Sequence, residues 1–250
     1  MRIRNIGMLL NPSPCEIVDA AQHDGVIRER TNHSLRSRAF REEANKRRVL
    51  STTTSGDPMQ EVLPEGGLVR KLWIGESAKY REHLLRLDPQ SRRNRFSGGV
   101  SDQFISKYVD LTTGLDTVVH GFFVGDTIRG AAELRPLGGS FPREAEAAIS
   151  VEKAWQSHGV GSALLRRTLL AARNRGFRHL HMACLADNRR MQQLARKFDA
   201  ELSFDFESVV GEVESSRPTP LSLIREMMSD SHGFATAMLD LQSRMLRARA

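Results

Sequence analysis

A glycine-containing loop between a predicted strand and a predicted helix is the feature that most constrains this chain. The apolar pattern predicts a strand over residues 146–152 and a helix from Val160 to Gly176, which can end it in a left-handed conformation. Gly159 and Gly161 lie where that helix begins. Glycines there let an anion approach unpaired N–H groups and the positive end of the helix dipole. The sequence therefore predicts a phosphate-binding site.

The spacing of the glycines excludes two common nucleotide-binding loops. A dinucleotide-binding fingerprint needs a third glycine where Leu164 stands. A P-loop needs Gly-Lys-Ser/Thr, but Ser162 follows Gly161 directly. What remains is Gln156-x-x-Gly159-x-Gly161, a spacing suited to the pyrophosphate of coenzyme A.

Alternating strand and helix patterns surround this loop. Further strands are predicted at residues 68–73, 118–124, 128–135, 178–185 and 204–210. Further helices are predicted at residues 76–87, 102–112, 188–197 and from Thr219 towards Ala248, with an interruption near His232. Gly125-Asp126-Thr127 predicts a hairpin, and the polar, basic composition of residues 91–99 predicts a loop.

Four segments resemble, in order and spacing, the GCN5-related N-acetyltransferase (GNAT) superfamily. They are the hairpin strand 128–134, the strand 146–151, the loop 156–161 and the asparagine helix 186–198, within a region of about residues 68–210. The resemblance implies an α/β fold, a GNAT-like mixed, mostly antiparallel central sheet flanked by helices on both faces. It also implies an acyl-CoA-dependent N-acyltransferase, with acetyl-CoA as co-substrate and no metal.

The resemblance also assigns coenzyme-binding residues. Backbone groups of Ile149 and Val151 would hold the pantetheine arm as an added strand. Asn188 would contact pantetheine or the adjacent backbone, or would only cap the helix that follows it. The N–H groups that would cradle the pyrophosphate belong to Gln156, Ser157, His158, Gly159, Val160, Gly161 and Ser162.

Catalysis needs a base for the amine and a proton donor for the leaving thiolate. Glu133 and Glu146 are the candidate bases, because burial in an apolar sheet can raise the pKa of a carboxyl group. The alternative is that both are solvated surface residues without a catalytic role. Many family members carry a tyrosine acid seven residues after the asparagine, but Ala195 stands there. A thiolate is a tolerable leaving group near neutral pH. The alternative function is a non-catalytic acyl-CoA sensor or adaptor.

The charge distribution favours a phosphate-rich ligand over nucleic acid. The formal net charge is +7. Residues 1–65 hold 10 basic and 9 acidic residues, whereas residues 66–250 hold 27 and 21. The surplus therefore belongs to the region that resembles the transferase, and the expected acceptor is a small-molecule or protein amine. The two cysteines, Cys15 and Cys184, are far apart, which indicates a reducing cytoplasm. No apolar run has the ~18–20 residues that a membrane span needs.

Composition divides the chain into three parts. Residues 1–65 have Phe40 as their single aromatic residue and are predicted to be a disordered basic and polar extension. Residues 35–48 could form a basic amphipathic helix, and an arm that binds a membrane or nucleic acid is the alternative there. Residues 66–211 form the predicted acyltransferase domain. Residues 212–250 form a helical tail that packs on this domain or on a second subunit, as in a homodimer.

Two clusters of side chains invite other functions. His179, His181 and Cys184 suggest a metal site, but on a strand both histidines share a face that Cys184 does not. The basic run over residues 92–95 is either a solvated face or a group that binds an acidic acceptor or a phosphate.

Overall fold

A computed structural model of the chain describes residues 63–73, 75–112, 116–138 and 143–247. The predicted extension over residues 1–65 falls, except for its last three positions, outside the described residues. The strands are β1 (Leu68–Lys71), β2 (Val118–Val124), β3 (Thr127–Leu137), β4 (Glu144–Val151), β5 (His179–Leu185), β6 (Glu201–Asp205) and β7 (Ser208–Glu214). The helices are α1 (Ser77–Arg86), α2 (Pro89–Phe96), α3 (Asp102–Thr112), α4 (Val160–Asn174), α5 (Arg189–Lys197) and α6 (Pro220–Arg247).

All seven strands form one sheet in the order β1-β2-β3-β4-β5-β7-β6. Every neighbouring pair is antiparallel except β4 and β5, which are parallel. Side chains alternate along β3, so that Leu134 packs with α4 on one face and Ala131 packs with α1 and α3 on the other. The predicted mixed, mostly antiparallel sheet with helices on both faces is confirmed.

The one parallel pair is short. It runs from the register pair Glu144 and His179 to the pair Glu146 and His181. Beyond it β4 continues to Val151 and pairs only with β3, while β5 pairs only with β7. The two strands therefore separate along their C-terminal halves and leave a notch in the sheet.

Helix α4 packs closely against the sheet beside this notch. A Cβ atom added to Gly130 of β3 would lie 3.2 Å from side-chain carbons of both Val160 and Leu164. The missing side chain at this position lets the first turn of α4 approach the sheet. Gly176 has a φ of 74° and ends the helix, as its position in the sequence predicts.

The predictions for residues 91–99 and 204–210 were wrong. Residues 91–99 were expected to form a loop, but α2 occupies most of that stretch. Asp88 caps it by accepting hydrogen bonds from the N–H groups of Gln90 and Ser91, and Pro89 fits its first turn. Residues 204–210 were expected to form one strand, but a turn at residues 206–207 divides β6 from β7.

The C-terminal helix packs on the domain. Glu226 accepts hydrogen bonds from Asn174 (2.6 Å) and Arg175 (2.7 Å) at the end of α4, and Asp230 lies 3.3 Å from Arg167. The helix runs through Gly233 without the predicted interruption, and β7 extends past the predicted boundary at residue 211. None of the described helices is long and apolar enough to cross a bilayer.

A buried ion pair attaches β1 to α1. The Arg70 guanidinium, 1% exposed, donates to both carboxylate oxygens of Glu76 at 2.7 and 2.8 Å and lies over the ring of Phe123. Burial alone would raise the pKa of Glu76. Hydrogen bonds from Arg70, the Trp73 N–H group and Lys79 outweigh burial and lower that pKa to about 2.

We predict that Glu76→Gln makes the chain less stable at neutral pH and less sensitive to acid. A depressed carboxyl pKa stabilises the folded state above the pKa of the unfolded chain, and this stabilisation is lost as the pH falls from 4.5 towards 2. We expect a loss of roughly 1–3 kcal/mol at pH 7 and a flatter decline between pH 5 and 3, measured by urea unfolding. Glu82→Gln, at an exposed position of α1, is the control. Equal acid sensitivity in wild type and Glu76→Gln would contradict the prediction.

Candidate functional site

The notch between β4 and β5 continues into a cavity with a volume of about 330 Å³. The first turn of α4, the end of β4, helix α2 and helix α5 line it. The residues predicted to bind coenzyme line this cavity except for two: they are Ile149, Val151, Gln156, Ser157, Gly159, Gly161, Ser162 and Asn188. His158 is exposed, and the Val160 side chain is buried beside Phe122 and Leu164. For His158 and Val160 the sequence predicts pyrophosphate binding through the backbone N–H group, which does not depend on where the side chain lies.

The N-terminus of α4 is open towards the cavity. Gly159 precedes the helix with a φ of 81°, and no side chain caps the helix there. Ser157 also has a left-handed φ, of 66°. The N–H group of Ala163 is bonded to the Gly159 carbonyl oxygen at 3.0 Å. The N–H groups before it have no acceptor within the helix, and those of Gly161 and Ser162 lie at the cavity. This end of the helix is therefore suitable for an anion.

The Gln156 side chain connects three elements around the cavity. Its Nε2 donates to the hydroxyl oxygen of Ser91 on α2 at 3.0 Å and to the carbonyl oxygen of Val151 on β4 at 2.8 Å. Its Oε1 accepts a hydrogen bond from Arg190 on α5. Gln156 thus fixes the loop against α2 and α5.

Asn188 caps α5, which is one of the two roles that the sequence left open. Its Oδ1 accepts a hydrogen bond from the Met191 N–H group at 3.2 Å. The residue also lines the cavity, at the point where β5 leaves β4. The two roles are compatible, and its contact with coenzyme stays a prediction.

The candidate base Glu133 lies in a buried hydrogen-bond network. Its Oε2 accepts from the hydroxyl groups of Tyr80 and Tyr108, at 2.9 and 2.7 Å, and from Arg95 at 2.8 Å. Burial raises the pKa of both tyrosines, so both stay protonated donors. Glu133 lines neither the cavity nor the smaller pocket described next.

The candidate base Glu146 lines a smaller pocket of about 20 Å³ that adjoins the cavity. It accepts a hydrogen bond from Arg135 on β3 at 2.7 Å. The pocket and the cavity share four lining residues, which are Asn94, Ile149, Asn188 and Met191. Of the two candidate bases, Glu146 is the one that reaches the site, and a catalytic role for either stays a prediction.

No hydroxyl group occupies the position expected for a tyrosine acid. Ala195 is 2% exposed and packs in the core with Leu202. Both tyrosines of the chain, Tyr80 and Tyr108, donate to Glu133 instead.

The metal interpretation of β5 fails on geometry. His179 pairs with Glu212 at 2.7 Å, and His181 pairs with Glu144 at 3.2 Å. Cys184 is buried on the opposite face of the strand. Within the described ranges no group of three histidine, cysteine or acidic residues is arranged to hold a metal ion.

Comparison with known proteins agrees with the geometry of this site. The model of the Acetyltransferase (GNAT) family matches residues 85–200, which contain the notch, the loop and helices α4 and α5. The chain carries a GNAT acetyltransferase domain. The resemblance to the GNAT superfamily that the sequence predicts is confirmed over this region.

Three individual proteins are similar to this chain. Acetyltransferase PA5475 of Pseudomonas aeruginosa is 28% identical over 147 residues, covering 56% of this chain and 78% of that protein. The GNAT domain of S. lividans PAT superposes with a TM-score of 0.52 at 23% identity, covering 59% of this chain and 90% of that one. A GNAT phosphinothricin acetyltransferase from Sinorhizobium meliloti, solved in complex with AcCoA, has a TM-score of 0.47 at 15% identity and covers 62% and 94% of the two chains.

The GNAT domain has cavity residues that the sequence analysis missed. Arg190 and Lys197 on α5 both line the cavity, and Lys197 donates to the Ser162 hydroxyl oxygen at 3.0 Å. They are seven positions apart, which is two helical turns and places them on one side of α5. This spacing of basic residues is a signal that the sequence contained. Ser91 and Asn94 on α2 were missed because that helix was not predicted.

Another residue that the sequence analysis missed is His83 on α1. Its Nε2 lies 2.9 Å from the hydroxyl oxygen of Ser150, which lines the cavity from β4. Its Nδ1 faces Glu152 at 3.4 Å. Burial lowers the pKa of His83, so the neutral ring fixes the orientation of the Ser150 side chain.

We predict that Lys197→Met weakens binding of acetyl-CoA about tenfold, because a charge-assisted contact is typically worth about 1.5–3 kcal/mol. The methionine keeps most of the aliphatic stem, so the fold should be unaffected. Calorimetric titration of acetyl-CoA measures the change. Lys107→Met, at an exposed position of α3, is the control and should bind as wild type does. Equal affinity of the two variants would mean that Lys197 does not contact the coenzyme.

Proposed function

We propose that this chain is an N-acetyltransferase that transfers the acetyl group of acetyl-CoA directly to an amine in a ternary complex. The observation that carries the proposal is the notch between β4 and β5, which ends on the uncapped N-terminus of α4. An extended arm fits along an unpaired strand edge. A pyrophosphate fits at an open helix N-terminus. Coenzyme A carries both groups in one molecule.

The basic residues around the cavity support the binding of several phosphate charges. Arg190 and Lys197 line it from α5, and the N-terminus of α4 adds the helix dipole. The two side chains already donate to Gln156 and Ser162 of the loop, so they are held at the position proposed for the pyrophosphate.

Glu146 is the base that we propose for the transfer. The amine nitrogen attacks the thioester carbonyl carbon, the C–S bond breaks, and the nitrogen gives up its proton to the Glu146 carboxylate. The coenzyme leaves as a thiolate and takes a proton from solvent, since Ala195 offers no donor. Arg135 holds the Glu146 carboxylate towards the small pocket, where an amine beside the thioester would lie.

We expect acetyl-CoA to bind the full chain and Gly159→Glu to abolish that binding. The substitution places a negative charge at the proposed pyrophosphate site and a side chain on a residue with a φ of 81°. Gly125→Glu is the matched control, because Gly125 also has a positive φ and open space around its α carbon, in the β2–β3 hairpin. Isothermal titration calorimetry measures both. Absence of binding to the wild-type chain would overturn the proposed function.

We expect Glu146→Gln to lower kcat by roughly 10²–10⁴-fold, the usual contribution of general base catalysis. The affinity for acetyl-CoA should be unchanged. The difference in kcat between wild type and variant should decrease as the pH rises towards the pKa of the amine, because more of the amine is then already deprotonated. Glu144→Gln, two residues earlier on the same face of β4, is the control. Thiol release from acetyl-CoA measures the rate. A Glu146→Gln variant as active as the control would exclude Glu146 as the base.

The second candidate function is a sensor or adaptor that binds acyl-CoA without transferring it. Ala195, in place of the expected tyrosine, is the observation that favours it. Turnover of any amine in the thiol-release assay rejects the sensor. Tight binding of acetyl-CoA without turnover across a broad amine panel supports it.

A further inference from the structure

We propose that Arg95 binds a carboxylate of the acceptor in the small pocket beside Glu146. The acceptor would then be a small amine that also carries a carboxylate, such as an amino acid. This inference rests on the proposed transfer to an amine and names the class of amine.

Arg95 differs from the two other arginines of its helix. Arg92 pairs with Asp102 at 2.6 Å, and Arg93 pairs with Asp187 at 2.7 Å on the surface. Only Arg95 of the three lines the small pocket, and its side chain is 1% exposed. The basic run in the sequence therefore contains one arginine that is buried at the site.

The Arg95 guanidinium is only partly satisfied. Its Nη2 donates to Glu133 and to the Tyr108 hydroxyl oxygen, each at 2.8 Å. Its Nε and Nη1 are buried and have no hydrogen-bond partner within the described part of the chain. The rings of Phe96 and Tyr108 lie 4.9 and 5.3 Å from the guanidinium carbon, but neither ring gives an oxygen acceptor to these two atoms. Buried N–H donors are nearly always bonded in folded proteins, so these two donors favour a ligand that brings an acceptor.

Charge around the pocket selects the form of the ligand. Arg95 is balanced by Glu133, and Arg135 is balanced by Glu146. A ligand with net charge would leave an uncompensated charge in this buried region. A zwitterion keeps the region neutral, with its carboxylate on Arg95 and its amine nitrogen towards Glu146.

The size of the pocket fits one small polar group. Its volume of about 20 Å³ is close to that of a site for a single water molecule. Asn94 and Asn188 line it as well and carry amide groups that can bond a carboxylate oxygen. Because the pocket shares four lining residues with the cavity proposed for the coenzyme, the amine of such a ligand would lie on the side of the proposed thioester.

The test compares amines that differ only in the carboxylate. Thiol release from acetyl-CoA is measured with the common amino acids, β-alanine and 4-aminobutyrate, with their carboxamides, and with the amines that lack the carboxyl group. We expect kcat/KM for at least one acid to exceed that of its matched amide by about tenfold or more, the effect of one charge-assisted hydrogen bond. Amides used as well as their acids would overturn the inference and leave the proposed acetyltransferase intact.

A double variant, Arg95→Gln with Glu133→Gln, tests the residue. It removes both members of the buried ion pair, so that neither charge is left alone. We expect the preference for acids to disappear through a higher KM for the acid, with acetyl-CoA affinity unchanged. Arg93→Gln is the surface control and should keep the preference. If the double variant does not fold, the acid-to-amide ratio of the wild-type chain still decides.

Absence of turnover is also informative. If acetyl-CoA binds but no amine reacts, the binding of alanine and alaninamide to the acetyl-CoA complex is measured by calorimetry. Preferential binding of alanine supports the carboxylate site in a sensor. Equal or absent binding overturns the inference and means that the Arg95 donors bind only water. Failure of acetyl-CoA itself to bind overturns the proposed function, and the inference with it.

Discussion

The separation of β4 from β5 is the constraint on which the rest of the site depends. A sheet is stable because each inner strand is hydrogen-bonded on both edges. Here the pairing between two inner strands ends after Glu146 and His181. The unpaired edges face a cavity rather than a third strand. Helix α4 begins beside this gap, and Gly130 lets it approach closely. Strand edge and helix end together form a site that is extended at one end and suited to an anion at the other.

The two candidate bases have different surroundings on the face of the sheet beneath α1, α2 and α3. Glu133 is enclosed by two tyrosines and an arginine, so it serves the packing of three helices. Glu146 has one arginine partner and borders a pocket. The two candidate bases looked equivalent in the sequence, since both are acidic residues on neighbouring strands. Their environments differ because side chains from α1, α2 and α3 meet at Glu133, whereas Glu146 borders a pocket, and no periodicity in the sequence reports this.

Local signals predicted the central part of the fold well. Glycine positions and helical spacing identified the loop and α4 because both depend on neighbouring residues. Helix α2 was missed because its surface is polar and only Arg95 and Phe96 are buried. The β6–β7 turn was missed because Phe206 and Glu207 are not turn-forming residues. The bond between Arg95 and Glu133 joins residues 38 positions apart and depends on the assembled sheet, so no local pattern in the sequence could predict it.

The bonds of Gln156 connect the donor side of the site with the acceptor side. Gln156 lies in the loop proposed to hold the coenzyme, and it is bonded to Ser91 at the beginning of α2. Arg95, near the end of the same eight-residue helix, reaches the small pocket. A rigid helix of two turns moves as one body, so a shift of the loop on loading would also reposition Arg95. The loop proposed to hold the coenzyme and the pocket proposed for the acceptor are therefore joined through a single short helix.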